Sequence, residues 1–391
     1  MNLKFFTTSF FTFILFYFSS PKLSFEDSKS KDDVKKDSAI ISIPYSLKFG
    51  KVSDSFIFEK NKQIDSFYSK KIGTPGFYGS FIVAKNGHII YEKYQGMANL
   101  KLQKTLNENS ALHLASVSKV LTATAILKLV ENDNIMLDQK VTDWLPNFPY
   151  KSTTIRTLLN HRSGLQHYSR FPELMKKNWN RKKILSNKDI YELIVKNKFR
   201  LLSPDNTRFD YCNTNYVMLA LIIEKATGLS YGEAMKELIF KPLDMKNTFV
   251  FDYFRDKDTV SMSYRNNRPN PWDQFDNLNG DKNIYSTPRD LVKFDLATYS
   301  SEFINQNLMK EAYVGYTSNM KLGKDYGLGM RMKKLANGET QVYHNGWWHG
   351  NTSSFVPVKK DTISIICLSN KYSNNTYETL KLVESLYPQT K

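Results

Sequence analysis

The sequence predicts an α/β fold of the α+β kind, in which an antiparallel β-sheet is flanked by helices and interrupted by an inserted, mostly helical domain. Three observations predict it. Residues 79–85 and 88–96 are strand-like runs on either side of Asn86-Gly87, a dipeptide that closes a two-residue hairpin because both of its residues accept positive φ. Strand-like runs return late in the chain, at 327–333, 341–344, 352–358 and 362–368. Between them, stretches such as 187–196, 213–226 and 231–240 carry the helical period. A sheet domain is therefore expected from residues 53–119 and 281–391, with a helical domain at 120–280 inserted between its two segments.

In chain order, Met1-Asn-Leu-Lys4 and the apolar, aromatic-rich run 5–18 read as a secretory signal peptide over residues 1–20, the run being too short for a comfortable membrane span. An uncleaved anchor is the alternative. Residues 21–52, rich in Ser, Lys and Asp, read as a flexible tether with one short strand near 40–43. Phe56, Ile64, Phe67 and Tyr68 space an amphipathic helix over 53–72 that should lie on the sheet. The hairpin follows, and His113 reads as a structural histidine.

Residues 114–130 form the centre of the pattern. Val117, Val120, Leu121, Ala123, Ala125, Ile126, Leu127, Leu129 and Val130 leave almost no polar face, which marks a helix covered on most sides. Its first turn carries Ser116 and Lys119, three residues apart and so on one face. A serine hydroxyl attacks a carbonyl only if a base takes its proton, and an amine serves when uncharged, a form that apolar surroundings favour. The same spacing recurs at Ser19, Ser28 and Ser318, so context singles out Ser116.

Downstream, Ile155 to His161 is a short helix ending at Arg162-Ser-Gly164, and His161 reads as a scaffold position. Gly228-Leu-Ser-Tyr-Gly232 mimics the G-x-S-x-G nucleophile elbow, which requires a preceding strand; here a helix precedes it, Gly228 suits a carboxyl cap, and Ser230 with Glu233 makes a capping box. A helix at 288–298 and an amphipathic helix at 375–386 complete the reading.

Two further motifs follow the serine in order, Tyr211-Cys-Asn213 and His344-Asn-Gly346. With Ser116-Val-Ser-Lys119 they resemble the S-x-x-K, Y-x-N and K-T-G or H-x-G motifs of the serine β-lactamase and penicillin-binding-protein superfamily, most closely the class C β-lactamase-like serine hydrolases, over roughly residues 75–390. The resemblance implies a β-lactamase/transpeptidase-like fold and an acyl-enzyme mechanism. In it Ser116 is the nucleophile, Lys119 its base, and Tyr211 a partner in the proton network. Asn213 binds substrate amide or supports Lys119, and the backbone N–H groups of Ser116 and Trp347 form the oxyanion hole. Gly346 allows close approach of the strand to substrate. His344 and Asn345 depart from K-T-G; the loss of a fixed cation there favours esters, peptides or D-amino-acid amides over efficient β-lactam hydrolysis. Trp347 and Trp348 offer an aromatic wall.

The expected function is an exported, periplasmic or envelope-associated serine hydrolase acting on an ester or amide of a small-molecule or peptide substrate, including cell-wall-derived ones. The alternatives are a DD-peptidase, a true β-lactamase, or a non-catalytic sensor that binds penicillin or peptidoglycan. No cofactor is implied. Scattered histidines without H-x-x-x-H spacing suggest no metal, and Cys212 and Cys367 read as buried thiols. A net charge of +17 concentrates between Arg170 and Arg200 without interleaved stacking aromatics, which reads as solvated surface and excludes nucleic acid as the expected partner.

Overall fold

Seven antiparallel strands form the central sheet of the computed structural model, which describes residues 39–316, 323–335 and 338–386. Their order is Lys324–Tyr326, Arg331–Lys334, Thr340–Trp348, Asn351–Val358, Ile363–Ser369, Gly79–Lys85 and His88–Gln95. The early hairpin therefore joins the last strand, with Gly79 opposite Ser369 and Lys85 opposite Ile363. At the hairpin tip Asn86 and Gly87 take φ of 52° and 83° and set Lys85 against His88, the turn that the dipeptide predicts.

Both sheet faces are covered. Phe81, Val83, Ile365 and Cys367 point to a cluster shared with Ile64 and Tyr68 of the first helical segment and with Leu382 and Val383 near the carboxyl end. Ile82, Ala84, Ile366 and Leu368 point the other way, into the large core that holds the central helix Ser118–Glu131. Burial on two sides explains why these strands read as continuous apolar runs rather than alternating ones. The helices of the middle region gather on Asn213–Thr227, against which the central helix, Ile155–Leu159 and Asn187–Asn197 all pack.

Several expectations are revised. The strand expected at 327–333 forms only in its second part, as Arg331–Lys334; residues 327–330 make the turn back to Lys324–Tyr326, with Gly329 at φ 90°. The helix expected at 375–386 begins as a 3-10 segment, Asn374–Glu378, before Thr379–Leu386. The tether reading fails for 39–49: Ile41 N–H donates to Gly87 O at 2.8 Å, Ile89 N–H donates to Ala39 O at 3.0 Å, and Ile43, Tyr45, Leu47 and Phe49 pack on the core. Their every-second-residue spacing was the overlooked signal of a docked, extended segment. The expected signal peptide, 1–20, and tether residues 21–38 lie outside the described residues. Among the described residues no helix is long and apolar enough to cross a membrane.

Other readings hold. Gly228 is the left-handed cap of helix Asn213–Thr227, and Ser230 and Glu233 form a reciprocal capping box, so the G-x-S-x-G match is a helix junction. Cys212 and Cys367 are free and buried.

Candidate active site

The serine sits on a strained entry to the central helix. Leu112–His113 pairs with Tyr285 and Ser286, and Leu114 N–H donates to Ile284 O at 2.8 Å. Ala115 then takes φ 47°, a conformation that costs a residue with a Cβ about 1 kcal/mol or more, and Ser116 follows within the 3-10 turn Ala115–Val117. His113 holds this turn. Its Nδ1 accepts from Ala115 N–H at 3.0 Å while Nε2 donates to Asn283 Oδ1 at 2.9 Å, and burial drops its pKa to about 4, so the ring stays neutral. The structural role expected of His113 is thus that of a clamp on the residue before Ser116.

Lys119 is fully buried, in the first turn of the helix and three residues beyond Ser116. Its Nζ donates to Ser116 Oγ at 3.0 Å and to the Asp281 carbonyl at 2.7 Å, so the amine is anchored on one side and aimed at the hydroxyl on the other. The Tyr211 ring centroid lies 5.1 Å and that of Tyr216 5.5 Å from the same Nζ. Polar side chains elsewhere on this apolar helix are satisfied internally: Thr122 Oγ1 donates to Gly280 O at 2.8 Å, and Thr124 Oγ1 to Val120 O at 3.0 Å.

Tyr211 and Asn213 are delivered by the segment that enters helix Asn213–Thr227. His161 holds that segment: its Nδ1 accepts from Cys212 N–H at 3.2 Å, its carbonyl accepts from Asp210 N–H at 2.8 Å, and its ring packs 4.3 Å from that of Tyr211. This is the scaffold role expected of it. Burial lowers the His161 pKa, and the ring is neutral. The Tyr211 hydroxyl and Asn213 Oδ1 are buried with no hydrogen-bond partner, two unspent polar atoms on the segment that enters this helix.

The third motif arrives on Thr340–Trp348. This strand pairs with Arg331–Lys334 only through Tyr343, while its opposite neighbour Asn351–Val358 pairs along His344 to Trp348. The serine turn packs on the stretch left free by the short strand. A Cβ on Gly346 would stand 2.4 Å from Ser353 Oγ, 2.5 Å from Leu114 O and 2.8 Å from Ser116 N. The glycine therefore seats the serine's own turn against the strand, a requirement distinct from the substrate approach expected of it. Trp347, next along, is 60% exposed. Trp348 is instead held inside, its Nε1–H donating to Asp276 Oδ1 at 2.6 Å.

His344 does not face the open site. It is fully buried, its Nδ1 donates to Asn345 O at 2.9 Å, and its Nε2 accepts from Tyr326 O–H at 3.0 Å. Burial and the nearby Arg331 charge lower its pKa well below the usual histidine value, so it brings no cation. A cation lies nearby in Arg331, whose guanidinium carbon is 4.6 Å from the Tyr211 ring centroid. Sequence reading placed Arg331 in a strand but gave it no role, because it belongs to none of the three motifs. It also missed Tyr168, which opens the 3-10 turn Tyr168–Arg170, and Asp281 and Lys282, which lie in a loop; none of the three matches a motif.

One cluster has the composition of a metal site: Asp273, Asp276 and His349 bring ligand atoms within 4.8 Å of one another. Protein donors already fill it. Asp276 accepts from Trp348 Nε1, from His349 Nε2 at 3.0 Å and from Asp273 N–H, which makes it a buried anchor for the turn after Trp347.

Comparison with known proteins fits this geometry. A penicillin-binding protein of Bacillus subtilis (strain 168) is 31% identical over 335 residues, which cover 82% of this chain and 74% of that protein. The esterase EstB of Burkholderia gladioli is 29% identical over 202 residues, 49% of this chain and 50% of its own length, so the match spans about half of that enzyme. The crystal structure of a penicillin-binding protein from Bacillus halodurans superposes with a TM-score of 0.70 at 21% identity, covering 86% of this chain and all of that one. The Beta-lactamase family model matches residues 64–384. With serine, lysine, tyrosine and the glycine strand assembled around one point, the chain belongs to the Beta-lactamase family and is a serine hydrolase of that family.

Proposed function

We propose that the protein hydrolyses an ester or amide through an acyl-enzyme on Ser116. The observation that carries the reading is the 3.0 Å contact between Lys119 Nζ and Ser116 Oγ, with the same amine tethered to the Asp281 carbonyl. The Lys119 amine takes the hydroxyl proton while Oγ bonds to the substrate carbonyl carbon. The developing oxyanion is received by the backbone N–H groups of Ser116 and Trp347. Collapse breaks the bond to the leaving group, which takes its proton through Tyr211, whose hydroxyl has no protein partner. Water then attacks the acyl-enzyme by the reverse proton path and releases Ser116.

The nearness of Arg331 to the Tyr211 ring supports a role in attracting a substrate carboxylate, which neutral His344 leaves open. The resemblance to both an esterase and penicillin-binding proteins supports a reaction at an ester or amide carbonyl. The apolar run 5–18 after Lys4 further supports export to the cell envelope, which cell fractionation of the full chain tests.

The mature chain should turn over p-nitrophenyl esters and react with a fluorophosphonate probe. Ser116→Ala should lose both while keeping its thermal transition. Retained turnover in that variant would refute the nucleophile, and labelling by a fluorescent penicillin without any turnover would replace the hydrolase with a binding or sensor role.

A further inference from the structure

A single buried acid, Asp276, reaches toward both residues whose N–H groups receive the oxyanion. It is 1% exposed, lies in a turn and belongs to none of the three motifs. Its carboxylate accepts from Trp348 Nε1 at 2.6 Å, from His349 Nε2 at 3.0 Å and from Asp273 N–H. Burial alone would raise its pKa, but the bonds from His349, Asp273 and Trp348 hold it below the usual carboxylate value, so the acceptor is an anion. Lys282 Nζ lies over the same indole, 4.5 Å from the Trp348 ring centroid. Trp347 is thereby set between two fixed neighbours, Gly346 against the serine turn and Trp348 on the acid.

The backbone of the same residue reaches the other donor. Asp276 O accepts from Asn283 Nδ2 at 2.7 Å, and a carbonyl can only accept, so the amide presents Oδ1 at its other arm. That oxygen takes the Nε2 proton of His113 at 2.9 Å, which leaves Nδ1 as the acceptor for Ala115 N–H at 3.0 Å. Ala115, held at φ 47°, forms the peptide bond whose nitrogen is that of Ser116.

We propose that Asp276 is a positioning residue for both oxyanion donors, its carboxylate fixing the Trp347 N–H through Trp348 and its backbone carbonyl fixing the Ser116 N–H through Asn283 and His113. Donors from two distant pieces of chain serve one oxygen only if they keep their separation while charge builds on it, and a common brace supplies that. The inference rests on the acyl-enzyme reading above, and it concerns the placement of the donors rather than the proton path.

Paired p-nitrophenyl esters test it, an acetate and its thiono analogue with C=S in place of C=O, because sulfur accepts hydrogen bonds weakly and draws little from the two donors. Trp348→Phe removes the indole N–H, and Asn283→Gly removes the amide while tolerating the φ of 72° at that position. Each should lower kcat/KM for the acetate about tenfold and for the thiono ester no more than about threefold, so the oxygen-to-sulfur ratio falls about threefold or more. A change that merely loosened the fold or misplaced the Ser116 hydroxyl would slow both esters alike. In a folded Asp276→Ala variant, Trp348→Phe should change the ratio no further, since it acts through that carboxylate. A ratio unchanged in either folded single variant overturns the proposal, as does a further fall from Trp348→Phe in the Asp276→Ala background. Turnover of the acetate by Ser116→Ala would instead bring down the hydrolase reading, so the two failures are distinguishable.

Discussion

Replacing Gly346 with alanine tests whether the serine's turn is truly seated on the third-motif strand. The added methyl would meet Ser353 Oγ at 2.4 Å, Leu114 O at 2.5 Å and Ser116 N at 2.8 Å, two of them backbone atoms that no side-chain rotation can move. Restoring ordinary contact near 3.4 Å requires the strand and the turn to part by about 0.6–1 Å. Overpacking of this kind costs about 1–3 kcal/mol, and a misplacement of about 1 Å at a reacting centre costs on the order of 100-fold in rate. Gly346→Ala should therefore fold, melt roughly 2–10 °C below the parent, and lose about 100-fold in kcat for a p-nitrophenyl ester. Gly50→Ala is the control, because a Cβ there meets nothing within 4 Å. Parent-like kcat in Gly346→Ala would refute the close seating of Ser116 on this strand.

Acid should destabilise the fold through its buried neutral histidines. His113, His161 and His344 all have pKa values lowered by burial, that of His113 to about 4. Below the unfolded value near 6.5 the unfolded chain binds protons that the folded chain refuses, so stability is complete above about 6.5 and falls with pH by up to about 1.4 kcal/mol per unit for each ring. Urea unfolding that is flat between pH 7 and 5 would contradict this. Neither thiol should react with Ellman's reagent in the folded protein, since burial raises Cys212 to about 11 and raises Cys367 as well; stoichiometric labelling without denaturant would be inconsistent with their burial. Arg331→Met should raise KM about tenfold for a substrate bearing a free carboxylate, and less for its methyl ester. Equal changes for the two would remove Arg331 as the carboxylate partner.

Much of this protein is determined locally and could be read residue by residue. Asn86-Gly87 specifies its turn through positive φ at two adjacent residues, and Ser230 with Glu233 specifies a helix start through paired caps. Ser116 and Lys119 face each other because a helix brings residues three apart together, whatever surrounds it. The docked segment at 39–49 was equally legible in its alternating apolar residues.

What only the tertiary structure decided depends on partners distant in sequence. Gly346 matters because of Leu114 and Ser353, and the Lys119 amine is aimed by a carbonyl at Asp281, 162 residues away. His344 looks like a site residue until Tyr326 claims its nitrogen, and Arg331 becomes the nearby cation only once its strand turns at Gly329. Hydrogen-bond polarity passed from Asp281 through Tyr168 to Asn213 has no period and no motif. It exists only when the fold brings those three distant residues together and removes the water that would otherwise satisfy each group separately.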